Sequence, residues 1–407
     1  MRLHPIELTE WETTGSLPLE REEMRALSRA TVGDGRSRFV EVLAGSDPGE
    51  YRLRASSFVG ALRVGPVQVI VRPKVGDAKA LYLAAVAQGL RPQADLVDLK
   101  QDVDLVEILV PLVLSAVERL LRWGLREEYA AVVDDLPMLR GRVDFGRQLT
   151  VRPGLPLPLS VRFEELLRDT TANRVLRSAL EVICERRLGS DGNQSKAREL
   201  LRNFDGVSTW RGTSLADVLP SSSEYTHPLA LAKLLLSGST VDLFAGAVKV
   251  DGLVFNMNDV FQDFVFEGLR IRLRGAMGGR LIPESRGVDF HLDIAESVSL
   301  EPDFALWSGD TCRLVGDVKY KDLDVRRLPN SDVYQVLAYA ISANLPTAML
   351  IYAGSGPGFS LSVSHAGVEV KIFNLDIRRP IFEIEDQLDV IAAAASADAA
   401  QEVVGLV

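Results

Sequence analysis

Leu300-Glu301-Pro302-Asp303-Phe304-Ala305-Leu306, followed after a short polar break by Leu314-Val315-Gly316-Asp317-Val318-Lys319-Tyr320, is the stretch on which the reading of this chain turns. In an extended strand alternate side chains share a face, so Asp317 and Lys319 project together while Val315 and Val318 fall on opposite faces. Two charges point one way from a strand that otherwise reads as buried. Asp303 opens a second short strand, and a hairpin joining the two would bring its carboxylate beside that of Asp317. Such a pair predicts a site for a hard divalent ion, Mg²⁺ or Mn²⁺, which takes a few carboxylate oxygens, keeps several waters and leaves room for a substrate phosphate. The Lys319 ammonium then orients the attacking water or neutralises charge in the transition state. The plainer alternative is an exposed edge-strand pair with Asp303 as a turn residue, because an isolated D-x-K is a common tripeptide.

The sequence on either side adds weight to the chemical reading. Ser331-Asp332-Val333-Tyr334-Gln335-Val336-Leu337-Ala338-Tyr339 has helical periodicity, and Gln335 and Tyr339 stand one turn apart on one face. A carboxamide and a phenol there can reach a phosphate or a base near the metal, or else pack against the sheet with Tyr339 as core. Upstream, 258–273 reads as an amphipathic helix that ends at Gly275-Ala276-Met277-Gly278-Gly279. Strands are expected over 288–292, 303–307, 313–320 and 348–352, a helix over 331–342, and an Ala-rich helix over 384–400. Arg270, Arg272 and Arg274, with Arg280 and Arg286 beyond the glycines, form the densest cationic stretch near this core. Phosphate contact by Arg270, Arg274 and Arg280 is one expectation, and stabilisation of a helix end by its own basic residues is the other.

The rest of the chain divides by pattern. Residues 1–92 carry short β-like runs between Gly, Pro, Asp and Ser clusters and end in a helix over 78–90, and 93–249 are expected to be mainly helical, with helices over 105–123, 162–185, 195–203 and 229–236 and a loop over 207–226. Residues 250–407 form an α/β unit. The expected whole is a multidomain α+β protein. Among 407 residues, 46 basic and 56 acidic side chains leave a net charge of −10, so no overall basic field coats nucleic acid. Cys184 and Cys312 show no metal-ligand spacing, which fits a reducing cytoplasm, and no apolar run is long enough to span a bilayer. His4, His227, His291 and His365 are scattered, and neither a phosphate-cradling loop nor a dinucleotide fingerprint is present, so the chain is not expected to bind or hydrolyse nucleotide.

Taken in order, the motifs resemble the McrC family, the nuclease subunits of modification-dependent restriction systems. The resemblance is carried by Ser57-Phe58-Val59-Gly60, Arg72-Pro73-Lys74-Val75-Gly76, Leu139-Arg140-Gly141-Arg142-Val143, Arg168-Asp169-Thr170-Thr171-Ala172-Asn173-Arg174-Val175-Leu176, Phe255-Asn256-Met257-Asn258-Asp259-Val260-Phe261, Pro302-Asp303, Asp317-Val318-Lys319 and the span from Gln335 to Tyr339. It implies a carboxy-terminal PD-(D/E)XK nuclease domain with Asp303 and Asp317 as metal ligands and Lys319 as the catalytic lysine, joined by Gln335 and Tyr339. It also implies a separate McrB-type AAA+ GTPase hexamer that recognises double-stranded DNA carrying modified bases. The first two regions would dock on that ring and stimulate its GTP hydrolysis, with Arg140 and Arg142 candidates for the interface. One departure stands out: in this superfamily a helix Glu can complete the metal site, and this chain has the neutral Gln262, with Asp259, Asp263 or Glu267 as possible substitutes. An adaptor with an inert nuclease core and a stand-alone repair nuclease are the competing expectations.

Overall fold

A computed structural model of the chain describes residues 5–32, 37–64, 67–89, 105–212, 214–215, 217–239, 250–276, 281–284, 290–308, 310–323 and 328–400. It is a mixed α/β chain of two compact units, one formed by residues 1–105 together with 240–407 and the other by 106–239.

The discontinuous unit is built on two main sheets. In the first, Phe58–Val64 pairs antiparallel with both Val67–Arg72 and Val250–Asn256, and Ile6–Thr9 runs parallel to Val67–Arg72. The sequence reading separates 1–92 from 250–407, yet strand Val250–Asn256 lies in the amino-terminal sheet and runs straight into helix Met257–Ala276. A knot of polar groups fixes that junction. The Met257 N–H donates to the Ser57 carbonyl at 2.9 Å, the Asn258 amide donates to Ser57 Oγ at 2.9 Å, and Asn256 Oδ1 accepts from the Asn258 N–H at 3.1 Å. Two motifs almost two hundred residues apart in sequence are thus one structural element.

The second sheet has the order Leu281–Glu284, Phe304–Ser308, Thr311–Lys319, Thr347–Tyr352, Val368–Asn374, Phe359–Val363. Phe304–Ser308 and Thr311–Lys319 form an antiparallel hairpin, while Thr311–Lys319, Thr347–Tyr352 and Val368–Asn374 run parallel. Parallel neighbours need a crossover, which helix Asn330–Ser342 supplies between the first two. Every residue of Thr347–Tyr352 is buried, as expected for a central strand covered on both faces. Ala305, Val315, Leu350, Val336 and Tyr339 belong to one core cluster under the crossover helix. Helices Met257–Ala276 and Ile381–Ala400 pack on Thr311–Lys319 as well as on each other. Gly316 is required by this packing: a Cβ there would sit 2.1 Å from Cζ of Phe304, whose ring lies across the paired strand.

The other unit is less helical than its sequence suggests. Helices Leu105–Leu121, Thr171–Glu185, Asp191–Leu201 and Ser223–Ser239 are present, but Glu128–Leu136, Leu159–Leu167 and Arg142–Val143 form an antiparallel sheet. Residues 162–167, expected as the start of a helix, are strand. Their Phe-Glu-Glu-Leu-Leu composition suits a helix, but Val161 and Phe163 point inward while Arg162 and Glu164 point out, the two-residue period of a strand. The helix starts only at Thr171, where Thr170 Oγ1 caps the Asn173 N–H at 3.2 Å. The Arg168-to-Leu176 motif has a structural explanation here. The fully buried Asn173 amide donates to the carbonyls of Arg126 (2.9 Å) and Arg168 (2.7 Å) and accepts from the Tyr225 hydroxyl at 2.7 Å. Asp169 accepts twice from Arg174, at 2.7 and 2.8 Å, and from the backbone N–H of Ser208; the Arg174 hydrogen bonds are the main reason its carboxyl lies well below the ordinary range.

A carboxylate pair with an oriented lysine

The hairpin register pairs Phe304 with Gly316, so Asp303, one step earlier on its strand, comes beside Asp317, one step later on the other. Asp317 is 1% exposed, and Asp303 Oδ2 accepts from the Val318 N–H at 2.7 Å, which fixes the first carboxylate against the second strand. The Lys319 ammonium lies 2.5 Å from Asp317 Oδ2 as an ion pair, and neither buried oxygen of Asp317 accepts from a backbone N–H. Burial drives the Asp317 carboxyl above its ordinary value, the charge of Asp303 adds to the rise, and Lys319 opposes both. Burial also raises Asp303; the Val318 N–H and Lys319 pull it back, and the charge of Asp263 pushes it up. Two acids against one lysine leave this site short of positive charge.

Lys319 is held by a directional chain. Its ammonium donates to Gln335 Oε1 at 3.1 Å, Gln335 Nε2 donates to the Tyr339 hydroxyl at 2.6 Å, and Tyr339 donates to the Glu301 carbonyl at 2.9 Å. The chain starts beside one carboxylate and ends two residues before the other. Tyr339 is buried, and burial pushes its phenol up to about 12, so it remains a donor at neutral pH. Gln335 and Tyr339 touch the lysine and the loop before Asp303, which makes them positioning groups.

The structure thus brings Asp303, Asp317, Lys319, Gln335 and Tyr339 together. Of the three acids considered in place of Gln262, Asp263 bears on Asp303 through its charge, whereas Glu267 is buried in a bidentate pair with Arg270. Arg270, expected at a phosphate, therefore has its guanidinium committed to Glu267, and Arg272 pairs with Glu385 and Asp389. The Arg274 side chain and residues Arg280 and Arg286 lie outside the described residues. Among the described residues no three His, Cys, Asp or Glu side chains converge closely enough to hold a metal together. A cation here would be held by Asp303 and Asp317, with water or substrate oxygens in its other positions and Asp263 acting from farther out. This donor set of hard oxygens, which includes both buried oxygens of Asp317, fits Mg²⁺ or Mn²⁺.

Fold and site together define a sheet-borne acid pair with an oriented lysine, in a chain that no described helix could carry across a membrane. The chain belongs to the family described as "McrBC 5-methylcytosine restriction system component", whose model matches residues 53–353. A similar protein is the "Type IV methyl-directed restriction enzyme EcoKMcrBC" of Escherichia coli (strain K12), 24% identical over 254 residues, which cover 58% of this chain and 72% of that protein. Among solved structures, a chain of the "Refined half-complex from tetradecameric assembly of Thermococcus gammatolerans McrB AAA+ hexamers with bound McrC" shares the fold at a TM-score of 0.57 and 19% identity. That match covers 96% of this chain and all of the other.

Proposed function

We propose that this chain is the Mg²⁺-dependent DNA endonuclease subunit of a GTP-driven, modification-dependent restriction complex, with a PD-(D/E)XK-type core in residues 250–407 and an McrB-like AAA+ hexamer as partner. The observation that carries the reading is the Asp303–Asp317 pair, its second member buried, short of positive charge and faced by a lysine locked in direction. When bound, a divalent ion polarises a phosphodiester and lowers the pKa of water. The chain's own contribution is positional: Asp303 and Asp317 offer the oxygens, Lys319 places a positive charge where negative charge develops on the phosphate, and Gln335 with Tyr339 keeps that charge in line. In the 106–239 unit, Tyr129, Met138, Leu139, Phe145 and Leu149 are all at least 60% exposed on or beside the sheet, apolar surface suited to a protein partner.

The test is cleavage of methylated duplex DNA by the full chain with its AAA+ partner, GTP and Mg²⁺. Wild type should cut, Asp303→Ala and Asp317→Ala should not, and all three should raise the partner's GTP turnover equally. Stimulation without cleavage by wild type would leave an inert adaptor, and cleavage without any effect on GTP turnover would leave a stand-alone nuclease.

A further inference from the structure

Glu10 is a second acid buried almost completely, 2% exposed, and none of the chemistry above uses it. It sits in a tight turn whose next residue, Trp11, holds φ at 65°, a conformation rare for a bulky L residue and retained where the surroundings demand it. The turn is pinned by the Glu10 N–H to the Arg72 carbonyl at 3.1 Å and by the Glu12 N–H to the Thr9 carbonyl at 3.0 Å. It aims the Glu10 carboxyl inward. There Oε2 accepts from the Lys74 N–H at 3.0 Å and from the Tyr320 hydroxyl at 2.9 Å, while the buried Oε1 has no hydrogen-bond partner.

Both contacts matter for where they lead. Lys74 belongs to the Arg72-to-Gly76 motif, which the proposed chemistry leaves without a role. Tyr320 directly follows Lys319, and its ring rests on Phe261 of the helix that carries Asp263, with centroids 5.8 Å apart. The Lys319 carbonyl is held in turn by the N–H of Ala353 at 3.0 Å. An apolar contact would join these segments without burying a carboxyl that lacks a full set of partners. A directional bond to the residue beside the lysine does what packing cannot, because it fixes rotation of the strand end.

We propose that Glu10 and Tyr320 form a positioning pair through which the amino-terminal motif sets the orientation of Lys319 toward Asp317 and Gln335. This rests on the nuclease reading for its effect on cleavage, while the joint itself can be examined without it.

The experiment compares Glu10→Ala, Glu10→Gln, Tyr320→Phe and the double variant Glu10→Ala/Tyr320→Phe in the full chain with its AAA+ partner. Glu10→Ala and Tyr320→Phe should each lower kcat for DNA cleavage about tenfold at unchanged KM, because small displacements of a catalytic group are costly. The double variant should be no worse than either single one, and Glu10→Gln, whose amide oxygen still accepts both bonds, should restore wild-type kcat. Independently of cleavage, amide hydrogen exchange over 317–322 should quicken in Tyr320→Phe and not in Glu10→Gln. Unchanged kcat in Tyr320→Phe, additive losses in the double variant, or unchanged exchange in Tyr320→Phe would each overturn the pair. A wild-type chain that cuts no DNA would instead remove the nuclease reading, and exchange alone would then decide the joint.

Discussion

Replacing Asp317 by Asn separates stability from chemistry at the acid pair. Without metal, the buried Asp317 carboxylate faces Asp303, accepts from no backbone N–H, and is balanced by Lys319, which is itself a quarter exposed and partly screened by water. Burial and the neighbouring acid outweigh the lysine, so the charged form strains the fold. Asp317→Asn removes that charge at nearly constant volume. The amide keeps a buried polar group but not its charge, and since burying a charged group costs more than a neutral one, the gain is on the order of 1–3 kcal/mol, which moves a melting temperature by several degrees at roughly 2–4 °C per kcal/mol. In EDTA the variant should therefore melt higher than wild type. Adding millimolar Mg²⁺ should raise wild-type Tm by mass action and leave the variant unmoved, while cleavage with the AAA+ partner falls on the order of a thousandfold or more. Scanning calorimetry of both proteins with and without Mg²⁺ reads all of this except cleavage. A variant that melts lower in EDTA, or an equal Mg²⁺ shift in both, would refute the reasoning.

Four further outcomes follow from the geometry. Gln335→Ala breaks the chain from Lys319 to Glu301, so cleavage should fall about tenfold to a hundredfold with DNA affinity unchanged, as single-turnover rates and binding titrations would show. Gly316→Ala drives a Cβ into the Phe304 ring and should cost roughly 1–3 kcal/mol in urea unfolding, whereas no loss would mean the ring has room to move. Burial raises Glu10 from 4.5 to about 7, so the stability tied to its neutral form is full below pH 4.5 and drains as pH climbs through 7; Glu10→Gln should flatten that part of the stability–pH curve. The isolated chain should hydrolyse neither GTP nor ATP, a matter for a phosphate-release assay, since its sequence contains no phosphate-cradling loop.

Much of this site was legible in the sequence because its signals are local. The apolar run before Asp317 marks a buried strand, two-residue alternation puts Asp317 and Lys319 on one face, and the i,i+4 spacing of Gln335 and Tyr339 puts them on one helix stripe, where they are hydrogen bonded. What stayed hidden depends on distant partners. The phase of helix Met257–Ala276 relative to the sheet, which brings the charge of Asp263 to bear on Asp303, is set by packing against other elements. Strand Glu128–Leu136 is exposed along most of its length, so it carries no apolar alternation to read. Nor does any local pattern announce that Val250–Asn256 completes a sheet begun by residues near the amino terminus.

That last pairing has a consequence for how the chain is made. On a ribosome the strand Phe58–Val64 emerges long before Val250–Asn256, and the segment containing Tyr320 comes later than either. The intervening unit, self-contained in its contacts, can mature while its host is still half a structure. Until residue 256 is out, the early strands hold an unpaired edge, a window in which a bare strand edge is open to the wrong partner, and Glu10 has no phenol to meet until Tyr320 follows. Slowing translation between residues 240 and 256 should lengthen that window and lower the yield of soluble chain, even though no amino acid has changed.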